Sequence, residues 1–197
     1  MKILIFAAIA LLMGVYLAIS AIHFDVSTGW AGALILLGWS IWARKKWSIQ
    51  DDLEGSEPSV PEQIIWLRTL GVGILAGHLA TILLHPQIDL HLGSSNSLAQ
   101  DSWVLTGALV IAALLFRYHP RERDERFDII AARGIRAGYT CLIISLSSLL
   151  LFLGFAPQAW QDPLTHWVLG NLLVALLLLA YFVQLIAQLF LYRPRHD

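Results

Sequence analysis

Charge is scarce in this chain. Asp, Glu, Lys and Arg make up 14% of its residues, against about 25% in soluble domains, which excludes an ordinary water-soluble globule. Cysteine is all but missing: the single Cys141 rules out an internal disulfide and any CxxC redox or zinc motif, and in its apolar run it reads as a small packing residue. The apolar stretches lack the strict alternation of transmembrane barrel strands. No HExxH spacing, phosphate-cradling glycine loop or Ser/His/Asp arrangement is present. No carboxylate pair lies deep within an apolar run, which argues against a proton- or sodium-coupled pump of the usual kind.

What is abundant is apolar sequence. Of 197 residues, 57% are hydrophobic, and the mean hydropathy is +0.67. Chain in lipid must satisfy its own backbone, and long continuous Leu/Ile/Ala-rich runs do so as helices. The expected architecture is all-α, a polytopic membrane bundle forming one domain over 1–197. Six spans are predicted, at about 3–22, 29–43, 63–84, 102–118, 129–155 and 164–192. The first 20 residues resemble a signal peptide, with Lys2 ahead of the apolar run and Ala18-Ile19-Ser20 as a weak cleavage site; they are taken as an uncleaved first helix. Ser27 or Thr28 is expected to cap the second span. Ser59-Val-Pro-Glu62 and Ser97-Leu-Ala-Gln100 have capping-box spacing before the third and fourth, and Asp162-Pro163 precedes the sixth.

The cations are distributed one-sidedly. With the N-terminus inside, Lys2, Arg44, Lys45, Lys46, the six arginines between 117 and 136, Arg193 and Arg195 all fall on the inner side, and Arg68 can snorkel to it. That accounts for all 13 Lys and Arg and leaves none outside. The positive-inside rule then places both termini in the cytoplasm of a bacterial inner-membrane protein. Trp30, Trp103, Trp160 and Trp167 mark the outer interface, and Trp42, Trp47 and Trp66 the inner one.

Two inner loops are expected, about 44–62 and 117–128. The first reads as a solvated linker. The second is the dense island of charge around which the chain is organised. Arg121/Glu125 and Glu122/Arg126 are opposite-charge pairs at helical spacing, so the fifth helix is expected to start near Arg121 and enter the membrane unbroken. Gly134-x-x-x-Gly138 continues on it, and Gly73-x-x-x-Gly77 marks the third span. Small residues at this spacing permit close helix approach, which makes the third and fifth spans the expected tightly packed core. A faint inverted echo relates spans two and three to spans four and five, a pattern common in transporters.

Asp124-Glu125-Arg126, followed by Ile129, Ala131, Ala132 and Arg133, resembles a group of small bacterial and archaeal membrane proteins of unassigned function with a DER motif entering a membrane helix. The resemblance is specific around 124–136 and would extend over 63–197; it implies a helical membrane architecture and no chemistry. This chain departs from the pattern by its additional helices and its long first inner loop.

Chemistry, if any, lies with the seven histidines. His23, Asp25, His85, Asp89 and His91 form a cation-free outer rim of imidazole and carboxylate, ligand types suited to a divalent metal. His78 lies inside the third span, where an ionisable group is a functional candidate. It reads as an axial ligand for haem b with His166 opposite, as a proton relay, or as a packing residue hydrogen-bonded to Asn171. The leading expectation is a non-enzymatic subunit or accessory protein, docking a protein partner or a second copy through Arg121, Glu122, Asp124, Glu125, Arg126, Gly134 and Gly138. A metal- or haem-binding redox protein and a small transporter or channel are the alternatives.

Overall fold

The structure, a computed structural model, describes residues 2–24, 26–51, 59–83, 97–115, 125–162 and 164–192. These form helices α1 (Lys2–Phe24), α2 (Gly29–Asp51), α3 (Val60–Leu83), α4 (Ser97–Leu115), α5 (Glu125–Phe155), a one-turn α6 (Gln158–Gln161) and α7 (His166–Tyr192). No strand occurs among the described residues. Four helices, α1, α3, α5 and α7, are long and apolar enough to cross a membrane, and α4 adds a shorter apolar stretch, Gln100–Leu114.

Paired contacts fix the helix directions. Gly73 faces Ala10 and Gly77 faces Leu11 and Val15, so α1 and α3 run the same way. Gly29 lies against Asp101 and Gly32 against Leu105, so α2 and α4 also run together. Gly71 meets Leu109 on α4 and Gly73 meets Phe182 on α7, with α3 antiparallel to α4 and α7. Gly134 meets Gln188 and Gly138 meets Ala180, which sets α5 antiparallel to α7. The starts of α1, α3 and α5 therefore gather with the ends of α2, α4 and α7. Phe6 and Trp66 stack edge-to-face there, their rings 4.8 Å apart.

The centre of the bundle is α3. Buried residues make up 72% of its most apolar stretch. One core cluster joins it to α1, α2 and α4 through Ala10, Leu17, Leu36, Ile74 and Leu105. A second joins it to α1 and α7 through Ile3, Ala7, Ile65, Val72 and Phe182. The expectation that α5 shares this centre is corrected: only 6% of its most apolar stretch is buried, and it packs chiefly on α7. Its glycine stripe serves one neighbour, whereas α3 is enclosed on several sides.

Two junctions show why helix ends depart from the sequence reading. α2 continues through Arg44, Lys45 and Lys46 to Asp51, into the stretch expected to be linker. Those residues favour helix, and Lys46 Nζ lies 5.1 Å from the Trp42 ring one turn earlier. At the other junction, Asp162 ends α6, its N–H donating to the Gln158 carbonyl at 2.9 Å, and does not cap the last long helix. Thr165 takes that role, its Oγ1 accepting from the Val168 N–H at 3.3 Å. The Gln161 amide turns back to close α5, donating to the Leu153 and Ala156 carbonyls at 3.0 and 2.7 Å.

Candidate functional site

Polar chemistry concentrates at two places in this bundle, one towards each end. The first is built around Asp101, in the second turn of α4 and fully buried. Its carboxylate accepts from Ser27 Oγ and from the Thr28 N–H at 2.8 Å. The Thr28 hydroxyl donates to the Leu17 carbonyl at 2.9 Å, with Asp101 Oδ2 a longer alternative at 3.4 Å. Helix starts leave N–H groups unpaired and carry partial positive charge. Asp101 thus neutralises the start of α2 from a different helix. The approach requires glycine: a Cβ on Gly29 would lie 2.5 Å from the Asp101 Cα and 2.7 Å from its Oδ1.

His78 belongs to the same region. Its side chain is fully buried, and neither ring nitrogen has a hydrogen-bond partner. The Asp101 carboxylate is close enough to act on it electrostatically. A Cβ on Gly14 would lie 2.8 Å from the His78 backbone nitrogen, so α1 crosses α3 directly beside it. The anticipated hydrogen bond to Asn171 does not form, since neither ring nitrogen of His78 has a partner. His166 is exposed at the first position of α7, and His23 is exposed near the end of α1. Asp25, His85, Asp89 and His91, expected as metal ligands, lie outside the described residues. Among the described residues no group of three or more His, Cys, Asp or Glu is arranged to hold a metal.

The second place is a partly open cavity of about 380 Å³ where the ends of α4 and α7 meet the starts of α3 and α5. Ile64, Phe127 and Leu185 give it apolar walls, and Arg68, Gln184 and Gln188 face it from α3 and α7. The Arg68 Nε is buried and has no hydrogen-bond partner. No acidic residue lines the cavity among the described residues.

Of the expected docking residues, Arg121, Glu122 and Asp124 lie outside the described residues. Glu125 and Arg126 are exposed in the first turn of α5. Gly134 and Gly138 are buried inside the chain: a Cβ on Gly134 would lie 2.9 Å from Gln188 Nε2, and one on Gly138 would lie 2.8 Å from the Ala180 carbonyl. Gly14 and Gly29 belong to no motif in the sequence, and Asp101 stands in it only as one more carboxylate of the outer face. The available signal was an aspartate inside the first turns of an apolar helix, where a carboxylate needs donors from elsewhere.

Fold and sites together define an all-α protein with several helices apolar and long enough to cross a membrane. No protein-family model, no curated protein and no solved structure matches the chain.

Proposed function

We propose that this chain is a multi-pass protein of a bacterial inner membrane. It crosses the bilayer six times with both termini in the cytoplasm, and works as a non-enzymatic subunit or accessory protein. It docks a protein partner or a second copy through the charged segment 117–136 and the free side of α5. The reading rests on how α5 is held. Gly134 and Gly138 bind one side of this 31-residue helix to α7. Away from α7, Glu125, Arg126, Asp128, Arg133 and Arg136 are exposed in its first turns, with Ile135, Tyr139 and Ile143 exposed beyond them. A helix that carries charge out of an apolar segment offers a partner both a rigid stem and a readable pattern. The kinship suggested by the DER stretch concerns architecture alone. The test is charge reversal at Glu122, Asp124 and Glu125 together. The variant inserts normally but loses the proteins that co-purify with the native chain, and an unchanged set of co-purifying proteins would overturn the reading.

A second reading is favoured by His78. A buried imidazole without a partner costs about 1–3 kcal/mol, and here it lies at the same end of the bundle as the buried Asp101. This supports a metal- or haem-binding role for the region. Visible spectroscopy and elemental analysis of protein purified from its native membrane test it. A Soret band or stoichiometric metal that disappears in His78→Leu supports the reading, and a colourless, metal-free preparation sinks it.

A further inference from the structure

We propose that the cavity at the meeting of α3, α4, α5 and α7 is a binding site for one anionic phospholipid of the cytoplasmic leaflet. Its phosphate is held at Arg68, and part of an acyl chain lies against the apolar walls. Arg68 is the central group of this cavity. A guanidinium presents five N–H donors and stays charged. This one stands in the third turn of the most buried helix, with its Nε enclosed and unpartnered. A cation in that position favours a counter-charge, and the described lining holds no Asp or Glu to supply one. An anionic occupant would meet that need. Gln184 and Gln188 add side-chain amides one turn apart on α7, capable of donating to phosphate or ester oxygens.

The rest of the lining is chiefly apolar, including Ile64, Ile65, Ala113, Phe127 and Leu185. That surface excludes a small hydrated anion as the natural occupant and calls for an amphiphile. The volume, about 380 Å³, falls at the lower part of the range of about 300–1,000 Å³ for small-molecule pockets. It accommodates a headgroup and the first part of a chain, the remainder staying in lipid, and the partly open form of the cavity permits this. The site lies at the end of the bundle where Arg44, Lys45, Lys46, Arg126, Arg133 and Arg136 also gather. Such basic pockets between membrane helices on the cytoplasmic side are suited to anionic headgroups. This proposal rests on the cytoplasmic placement of that end and does not depend on the docking role of α5.

The experiment is native mass spectrometry of the full-length protein in detergent, titrated with phosphatidylglycerol, with phosphatidylcholine of the same chains, and with inorganic phosphate. One phosphatidylglycerol per chain is retained, about tenfold more tightly than phosphatidylcholine, in keeping with a charge-assisted contact, and inorganic phosphate does not displace it. Arg68→Gln abolishes the preference between the two lipids, and Arg68→Lys restores part of it. Ala131→Phe, which adds bulk to the wall on the α5 side, weakens retention of the lipid whatever its charge. Arg133→Gln, an exposed cation outside the lining, changes nothing and separates the cavity from the general basic rim. Equal retention of both lipids by the native chain would overturn the proposal. So would full phosphatidylglycerol retention by Arg68→Gln, or displacement by inorganic phosphate alone. If Arg68→Gln fails to give a monodisperse helical protein, the Arg68→Lys and Ala131→Phe titrations decide.

Discussion

Asp101 shows how much one carboxylate can organise. It meets donors from Ser27 and Thr28 while itself being fully buried. Replacing it by alanine removes the acceptor for both donors and leaves the start of α2 uncapped, a loss of the size of a missing N-cap, about 0.5–2 kcal/mol. Asp101→Ala is therefore expected to lower the thermal unfolding midpoint in detergent clearly, whereas Asp101→Asn, which keeps an acceptor, has a smaller effect. Glycines divide in the same way according to what surrounds them. A Cβ on Gly14 would fall on the Ile74 carbonyl, backbone that cannot swing aside. Gly14→Leu should thus cost at least the ~1–3 kcal/mol typical of overpacking. Gly107 has nothing within 4 Å of its Cβ position, and Gly107→Ala should be neutral or stabilising by up to about 1 kcal/mol. Unfolding curves of the two variants side by side check the contrast. The sequence marks all these positions alike as glycine, and the distinction arises from which backbone lies opposite.

At the level of helices, the molecule is an α1–α3 pair and an α5–α7 pair joined through α3 and α7, with α2 and α4 against the other flank of α3. Both pairs approach through glycine, so a single bulky residue should separate one and spare the other. Gly138→Leu, whose side chain would meet the Ala180 carbonyl and Gln184, is expected to release α5 from α7. The readout is thiol accessibility: in a Cys141→Ser background, a cysteine at Ala180, buried at the α5–α7 contact, reacts with a membrane-permeant thiol reagent in the variant and resists it otherwise. A cysteine at Ala10, buried at the α1–α3 contact, stays protected. The two Gly-x-x-x-Gly motifs were legible in the chain. Their partners were not, because a glycine stripe specifies close approach and leaves open which helix approaches. Gly73 and Gly77 meet α1, and Gly134 and Gly138 meet α7. The reading of 44–51 as linker failed for a related reason: hydropathy reports where lipid ends, while helix propensity and the Lys46–Trp42 contact carry the helix further.

For the molecule as a whole, the proposed orientation has a direct test. In a Cys141→Ser background, a cysteine at Ser59 at the start of α3 should resist an impermeant thiol reagent in intact cells and react after permeabilisation. A cysteine at Gln158, exposed beyond the far end of α5, should react at once. The reverse pattern would invert the topology, and would place the Arg68 cavity in the outer leaflet.

Composition and the continuous runs of apolar residues were enough to dictate an all-α fold with membrane-length helices, because within a single segment in lipid only a helix satisfies the backbone. The one-sided placement of Lys and Arg dictated which helix ends belong together, and the observed helix directions gather those ends. Folding in three dimensions settled which helix is central, which residues face each glycine, and that the buried Asp101 gathers Ser27 and Thr28 in the region of the buried His78. It also produced a cavity with an unpaired arginine from four separate segments. These features depend on contacts between residues far apart in the chain, such as Ser27 with Asp101 and Arg68 near Gln188, and no local pattern encodes which distant surface a side chain will meet.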